Sequence, residues 1–248
     1  MPEALLSTQA LSKSFGALVA TDHLSIDVRP GEIHAVIGPN GAGKTTLINQ
    51  LSGLMPPDSG AIRFEGRDIT ALSAPERCRL GLVRSFQITS ILRDFSALDN
   101  VALAVQGRHG HSFRFWRRAS TDPVLREPAL AALRELGLGE RAHVRAGTLA
   151  HGEQRQLEIA MALATGPKLV LLDEPMAGMG LEESARMTNY LRSLKGRITM
   201  LLIEHDMDAV FALADRITVL VYGKAIASGS PAEIRANPEV RRAYLGED

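Results

Sequence analysis

Gly38-Pro39-Asn40-Gly41-Ala42-Gly43-Lys44-Thr45 matches in full the phosphate-binding pattern G-x-x-x-x-G-K-[ST]. Each required residue answers a physical need. Glycines let the backbone curl until successive N–H groups point at phosphate oxygens. Lys44 adds a compact positive charge for the β- and γ-phosphates. The Thr45 hydroxyl suits the Mg²⁺ that accompanies them. Ile33-His34-Ala35-Val36-Ile37 before the loop reads as a short apolar strand, and Thr46-Leu47-Ile48-Asn49-Gln50-Leu51 after it opens a helix. Phosphates bound there would meet the positive end of that helix. Strand, loop and helix in this order imply a nucleoside triphosphate site.

A second stretch completes that chemistry. Leu169-Val170-Leu171-Leu172-Asp173-Glu174 is an apolar run ending in two carboxylates, as expected of a parallel strand buried on both faces. At its carboxyl end Asp173 would approach Mg²⁺ and Glu174 would reach the attacking water. The rest of the chain supplies the same α/β rhythm. Leu24, Ile26 and Val28 alternate with polar neighbours, as do Ile62 and Phe64, so short strands are expected in the first third. From about residue 97 to 148 the pattern turns helical. A helix is expected from Glu153 to about Thr165, and a strand from Ile198 to Ile203. Ser230-Pro231-Ala232-Glu233 reads as a capping box with proline in the first turn. The expected architecture is a mostly parallel sheet with helices on both faces, an antiparallel β region near the N-terminus, and a helical insertion in the middle.

Composition narrows the partners. The 248 residues carry 28 basic and 28 acidic side chains, so no net field draws the chain to nucleic acid or anionic lipid. A single cysteine, Cys78, rules out an internal disulfide and suits a reducing compartment. The first residues lack the charged and apolar regions of a signal peptide. No apolar run approaches the roughly 20 residues of a membrane span, so any work at a membrane is expected from the water side.

Four further elements follow in one order: Phe15 upstream of the loop, Ser85-Phe86-Gln87, Leu149-Ala150-His151-Gly152-Glu153-Gln154-Arg155, and Leu202-Ile203-Glu204-His205-Asp206. With them the chain resembles, over essentially its whole length, the ATP-binding subunits of ABC transporters. Those proteins combine the phosphate motifs with a glutamine loop, an L-S-G-G-Q signature and a switch histidine. The resemblance implies a P-loop NTPase (RecA-like) α/β core spanning 1–248, with a helical subdomain inserted at about 88–149. It implies that Phe15 stacks on adenine and that Gly38, Pro39, Asn40, Gly41, Ala42, Gly43, Lys44, Thr45 and Thr46 hold phosphate and metal. Gln87 would sense metal or attacking water and connect to the permease. Ala150, His151, Gly152 and Glu153 would close over the ATP of a second subunit. Asp173 would support Mg²⁺, Glu174 would act as general base, and His205 would contact the γ-phosphate. From the residues alone, Phe15 also fits a packed core aromatic.

A finer resemblance, to importers of branched-chain and related hydrophobic amino acids, rests on four stretches. They are residues 81–87, the histidine-containing signature, Glu174-Pro175-Met176-Ala177-Gly178-Met179, and Tyr222-Gly223-Lys224-Ala225-Ile226-Ala227-Ser228-Gly229. Extra residues around 107–128 make it look like the larger of two ATPase subunits. The implied partners are a second ATPase subunit, membrane permeases and, indirectly, a solute-binding protein, with the chain peripheral on the cytoplasmic side of the membrane and no nucleic acid involved. An exporter's ATPase, or a soluble relative working on nucleic acid or ribosomes, stays open as the alternative. Two departures weaken the trans site: the signature serine is Ala150, and Gly180 stands where an aspartate is usual. Arg108-His109-Gly110-His111-Ser112-Phe113-Arg114-Phe115-Trp116-Arg117-Arg118 mixes basic and aromatic residues. It reads as a solvated amphipathic insert, with lipid, permease or nucleic-acid contact as alternatives.

Overall fold

The computed structural model describes residues 4–85, 91–109 and 122–242, the side chains of 108 and 109 excepted. Gln87 and most of the basic-aromatic stretch lie outside the described residues. Eleven strands among the described residues form two sheets. In chain order they are β1 (Leu6–Phe15), β2 (Leu18–Leu24), β3 (Asp27–Val28), β4 (Ile33–Ile37), β5 (Ser59–Phe64), β6 (Arg67–Asp68), β7 (Leu82–Ser85), β8 (Leu169–Asp173), β9 (Thr199–Ile203), β10 (Arg216–Val221) and β11 (Lys224–Gly229). The larger sheet runs β11-β10-β4-β9-β8-β7 and is parallel apart from the β10–β11 hairpin. The smaller sheet is antiparallel, β2-β1-β5-β6, with β3 also paired to β1.

The central strands are buried on both faces, and their side chains alternate between two cores. On β8, Leu169 and Leu171 enter the core beneath the antiparallel sheet, while Val170 and Leu172 enter the opposite one. The first core holds Leu47, Ile48 and Leu51 of α1 (Lys44–Ser52) against Leu6, Leu11, Ile62 and Phe64 of the small sheet. The second takes apolar faces from α3 (Ala97–His109), α4 (Pro123–Glu135), α5 (His151–Ala164), α6 (Leu181–Ser193) and α7 (Met207–Leu213), whereas α2 (Ala74–Leu80) lies on the α1 side. α5 packs against both α3 and α4 as well as against β7. Helix α8 (Pro231–Ala236) starts at the expected capping box: Glu233 N–H donates to the Ser230 hydroxyl, and the Glu233 carboxylate accepts from Ser230 N–H at 2.7 Å.

Two details differ from the sequence reading. Leu24, Ile26 and Val28 are all buried, yet Leu24 ends β2, Val28 lies in β3 and Ile26 falls in the break between them, where the Thr8 hydroxyl donates to Leu24 O and accepts from Ile26 N–H. The helix expected from Glu153 begins at His151, since Glu153 reaches back to cap it. Arg77, fully buried on α2, donates to Gln50 O at 2.6 Å and Leu51 O at 2.8 Å. It thereby satisfies carbonyls at the end of α1 that the helix leaves unpaired.

His34 on β4 is fully buried. Nδ1–H donates to Asp27 O at 3.0 Å, so Nε2 accepts from the Thr218 hydroxyl at 2.8 Å, which fixes a neutral tautomer. Burial pushes its pKa from 6.5 down to about 4, with Arg216 adding to the shift and Asp27 opposing it. Glu32 stands 3.7 Å from Nδ1 but is engaged by Arg216 at 2.7 Å. The unfolded chain protonates this histidine first, so stability is complete above about pH 6.5 and falls as pH drops through the folded value. The loss expected between pH 7 and 5 is about 2 kcal/mol. Urea unfolding at both pH values measures it, and His34→Gln, which does not titrate, should remove that component.

Candidate functional site

The parallel registers set the carboxyl ends of β4, β9 and β8 side by side, Val36 opposite Ile203 and Ile203 opposite Asp173. Ligand sites of open α/β sheets form beyond such strand ends. The loop after β4 is 38–43, and two of its glycines are required by close approach. A Cβ on Gly38 would lie 2.1 Å from Leu220 O, and one on Gly43 would lie 2.0 Å from Ala20 O. Gly43 also takes φ 100, a left-handed value open to glycine. Lys44 is buried, and its ammonium donates to Gly38 O at 2.6 Å and Pro39 O at 2.9 Å. It therefore braces the loop from inside. Burial lowers its pKa, opposed by the nearby carboxylates of Glu174 and Asp173. Thr45, the next residue of α1, is exposed.

Asp173 ends β8 and is buried; Arg84 of β7 donates to its Oδ2 at 2.8 Å and to Asn49 Oδ1 of α1 at 2.6 Å. Glu174 follows with φ 49, left-handed backbone that costs a non-glycine residue on the order of 1–3 kcal/mol. Three contacts hold it there. Its N–H donates to Ile203 O at 2.8 Å, and the Arg155 guanidinium donates to the carbonyls of both Asp173 and Glu174. The Glu174 carboxylate meets His205 Nε2 at 2.9 Å, with both side chains partly open to solvent. Lys44, Asp173, Glu174 and His205 thus converge.

The first residues of the signature segment are placed otherwise. Ala150 N–H donates to the Glu153 carboxylate at 2.9 Å, and Arg141 Nε donates to the same group at 3.0 Å. His151 lies against Gly178, whose hypothetical Cβ would be 2.9 Å from Nδ1, and Gly152 faces Glu183. The start of α5 thus borders Gly178 and Glu183, which follow Glu174 in the chain. Glu153 stands where the L-S-G-G-Q pattern has glutamine, and its charge occupies the capping N–H of the helix. Phe15 is 47% exposed at the end of β1, which excludes the core-aromatic reading. Its hairpin partner β2 runs beside the phosphate loop through the Ala20–Gly43 contact.

Oxygen donors flank an ammonium and a run of loop N–H groups, a set suited to a phosphate chain and a hard cation. The sequence profile of the ABC transporter family matches residues 21–177. The chain belongs to the ABC transporter family. It is an ATP-binding, ATP-hydrolysing member. A second profile, of the branched-chain amino acid ATP-binding cassette transporter, matches residues 226–248 of this ABC ATPase. It is 39% identical over 257 residues, all of both chains, to the high-affinity branched-chain amino acid transport ATP-binding protein LivG of Salmonella typhimurium. It is 38% identical to the lipopolysaccharide export system ATP-binding protein LptB of Acidithiobacillus ferridurans, covering 98% of this chain and 97% of that one. The crystal structure of the ADP conformation of an ABC transporter cassette superposes with a TM-score of 0.85 at 32% identity, covering 99% and 100% of the two chains.

Three residues of this ABC ATPase at the site escaped the sequence reading: Arg84, Arg155 and Glu204. Each is a charge in or beside an apolar element, which signals a buried partner without saying which. Glu204 is 4% exposed and accepts three backbone N–H groups: Met176 at 2.9 Å, His205 at 2.8 Å and Asp206 at 3.3 Å.

Proposed function

We propose that this ABC ATPase powers import of branched-chain or related hydrophobic amino acids through separate membrane permeases. The match of its tail, residues 226–248, to the branched-chain cassette profile carries that reading. Overall identity does not separate import from export, since the LivG and LptB proteins are about equally similar. The similarity to LptB is what keeps an export role as the second reading.

The site assignments support a hydrolytic cycle built from this chain's residues. Backbone N–H groups within 38–46 (Pro39 has none) and the Lys44 ammonium hold the triphosphate, and Phe15, exposed at the end of β1, offers a face to adenine. Glu174 accepts a proton from the attacking water, and His205, already bonded to it, orients that water and the γ-phosphate. Thr45 and Asp173 fit Mg²⁺, which would neutralise charge building on the phosphates. Gln87 would complete that set. Ala150, His151, Gly152 and Glu153 would face the ATP of a second subunit, homologous or identical. The subdomain expected at about 88–149 would move the permease. Among the described residues no helix is long and apolar enough to cross a membrane, consistent with a peripheral position on the cytoplasmic side, the solute-binding protein acting on the far side. Balanced charge gives no support to a nucleic-acid partner.

The test uses vesicles holding this chain with its permeases and solute-binding protein. Labelled leucine, isoleucine or valine is expected to accumulate only with ATP on the side of this chain. ATP-driven movement of a lipid-like cargo in the outward direction, with no amino-acid uptake, would establish the export reading instead.

A further inference from the structure

We propose that Glu204 is a positioning residue for hydrolysis: its carboxylate ties the loop carrying Glu174 to the loop carrying His205, so that their side chains meet. The inference rests on the reading of Glu174 as the base and extends it to the element that aims the base. Met176, one donor to Glu204, lies two residues after Glu174 and follows β8. His205 and Asp206, the other two donors, follow β9. One oxygen serves the first loop and the other serves the second. Every hydrogen bond the described residues give Glu204 comes from backbone N–H, and none from a cation.

A carboxylate buried to 4% exposure without a lysine or arginine partner is costly unless donors converge on it. An apolar residue at the end of β9 would pack as well and would leave both loops unlinked. The arrangement instead holds Glu174 Oε1 at 2.9 Å from His205 Nε2 although Glu174 sits in left-handed backbone with φ 49. Arg155 fixes the carbonyl side of Glu174, and Glu204 fixes the N–H side of the residues beyond it. Rotation of either loop would break the Glu174–His205 contact while leaving the phosphate loop, on β4, untouched. A purely structural cap predicts a different outcome, because stability and ATP affinity would then fall together with turnover.

The test compares the intact chain with Glu204→Gln and Glu204→Asp. Glutamine keeps the shape but turns an N–H₂ toward donors; aspartate keeps the charge but is too short to span both loops. In either variant kcat for ATP is expected to fall roughly 10–100-fold, the range expected when charged hydrogen bonds are lost. KM and calorimetric ATP affinity are expected to stay within about twofold. In a cycle with His205→Ala, the combined loss is expected to be well short of the product of the single losses, because both act on one contact. Full turnover in the folded variants, a multiplicative cycle, or a parallel loss of affinity would overturn the proposal. Glu174→Gln in the same assay separates the two levels. If it hydrolyses ATP normally, the base assignment is wrong; if it is inactive while both Glu204 variants remain active, only the Glu204 inference fails.

Discussion

Glu174→Gln is expected to reduce ATP turnover by about 10²–10⁴-fold and to leave ATP binding intact. Glutamine has nearly the size and polarity of glutamate, so the strand end, the Arg155 grip on the backbone and the contact with His205 can persist. What it lacks is the capacity to take a proton from water. In the structure Glu174 is the carboxylate aimed at His205, whereas Asp173 is held by Arg84. The two neighbouring acids are therefore not interchangeable: one is clamped in place and the other faces outward. Steady-state phosphate release measures the loss, and calorimetry with ATP measures retained affinity. ATP trapped without turnover should also accumulate a closed two-subunit species on size exclusion. A variant hydrolysing ATP at the normal rate would assign the base to another group, with His205 the nearest candidate.

Lys44→Ala should weaken ATP binding by about 2–5 kcal/mol, the usual result of removing one partner of a desolvated charge pair. The structure adds a second reason. The ammonium donates to Gly38 O and Pro39 O, so alanine removes the proposed phosphate ligand and also takes a charged donor from two loop carbonyls, of which Pro39 O keeps the Ala42 N–H. An ammonium carries three protons, and the third remains for a phosphate oxygen. Lys44→Arg is a useful companion, because a planar guanidinium cannot reproduce a compact point charge in that space. It should recover little of the affinity. Unchanged calorimetric affinity in Lys44→Ala would refute the assignment of this loop, whereas unchanged turnover at saturating ATP with a raised KM would mean the lysine only binds.

The elements legible in the sequence were those whose signal is local. The glycine loop needs close backbone approach, and Gly38 and Gly43 proved to face carbonyl oxygens that no side chain could tolerate. The apolar run before Asp173 suits a strand buried on both faces, and the alternation of its side chains between two cores follows from strand periodicity. The capping box at Ser230 and the helix at α1 were equally local. These features depend on residues within one element, so order along the chain carried them. Boundaries were less certain where a distant side chain intervened, as Thr8 does between Leu24 and Ile26.

Only the tertiary structure decided which charges meet. The 2.9 Å contact between Glu174 and His205 joins residues 31 positions apart, and it exists because β8 and β9 are adjacent in register. Arg84, Arg155 and Glu204 each read as an isolated charge near an apolar stretch. Their roles emerge from where distant groups end up: the Asp173 and Asn49 side chains for Arg84, and backbone carbonyls and N–H groups for Arg155 and Glu204. The same holds for Glu153, which closes on Ala150 and Arg141, and for Phe15, whose exposure depends on how the antiparallel sheet packs. A sequence records which donors and acceptors a chain owns. Which of them are brought within hydrogen-bonding distance is a property of strand order and loop closure, and that is settled in three dimensions.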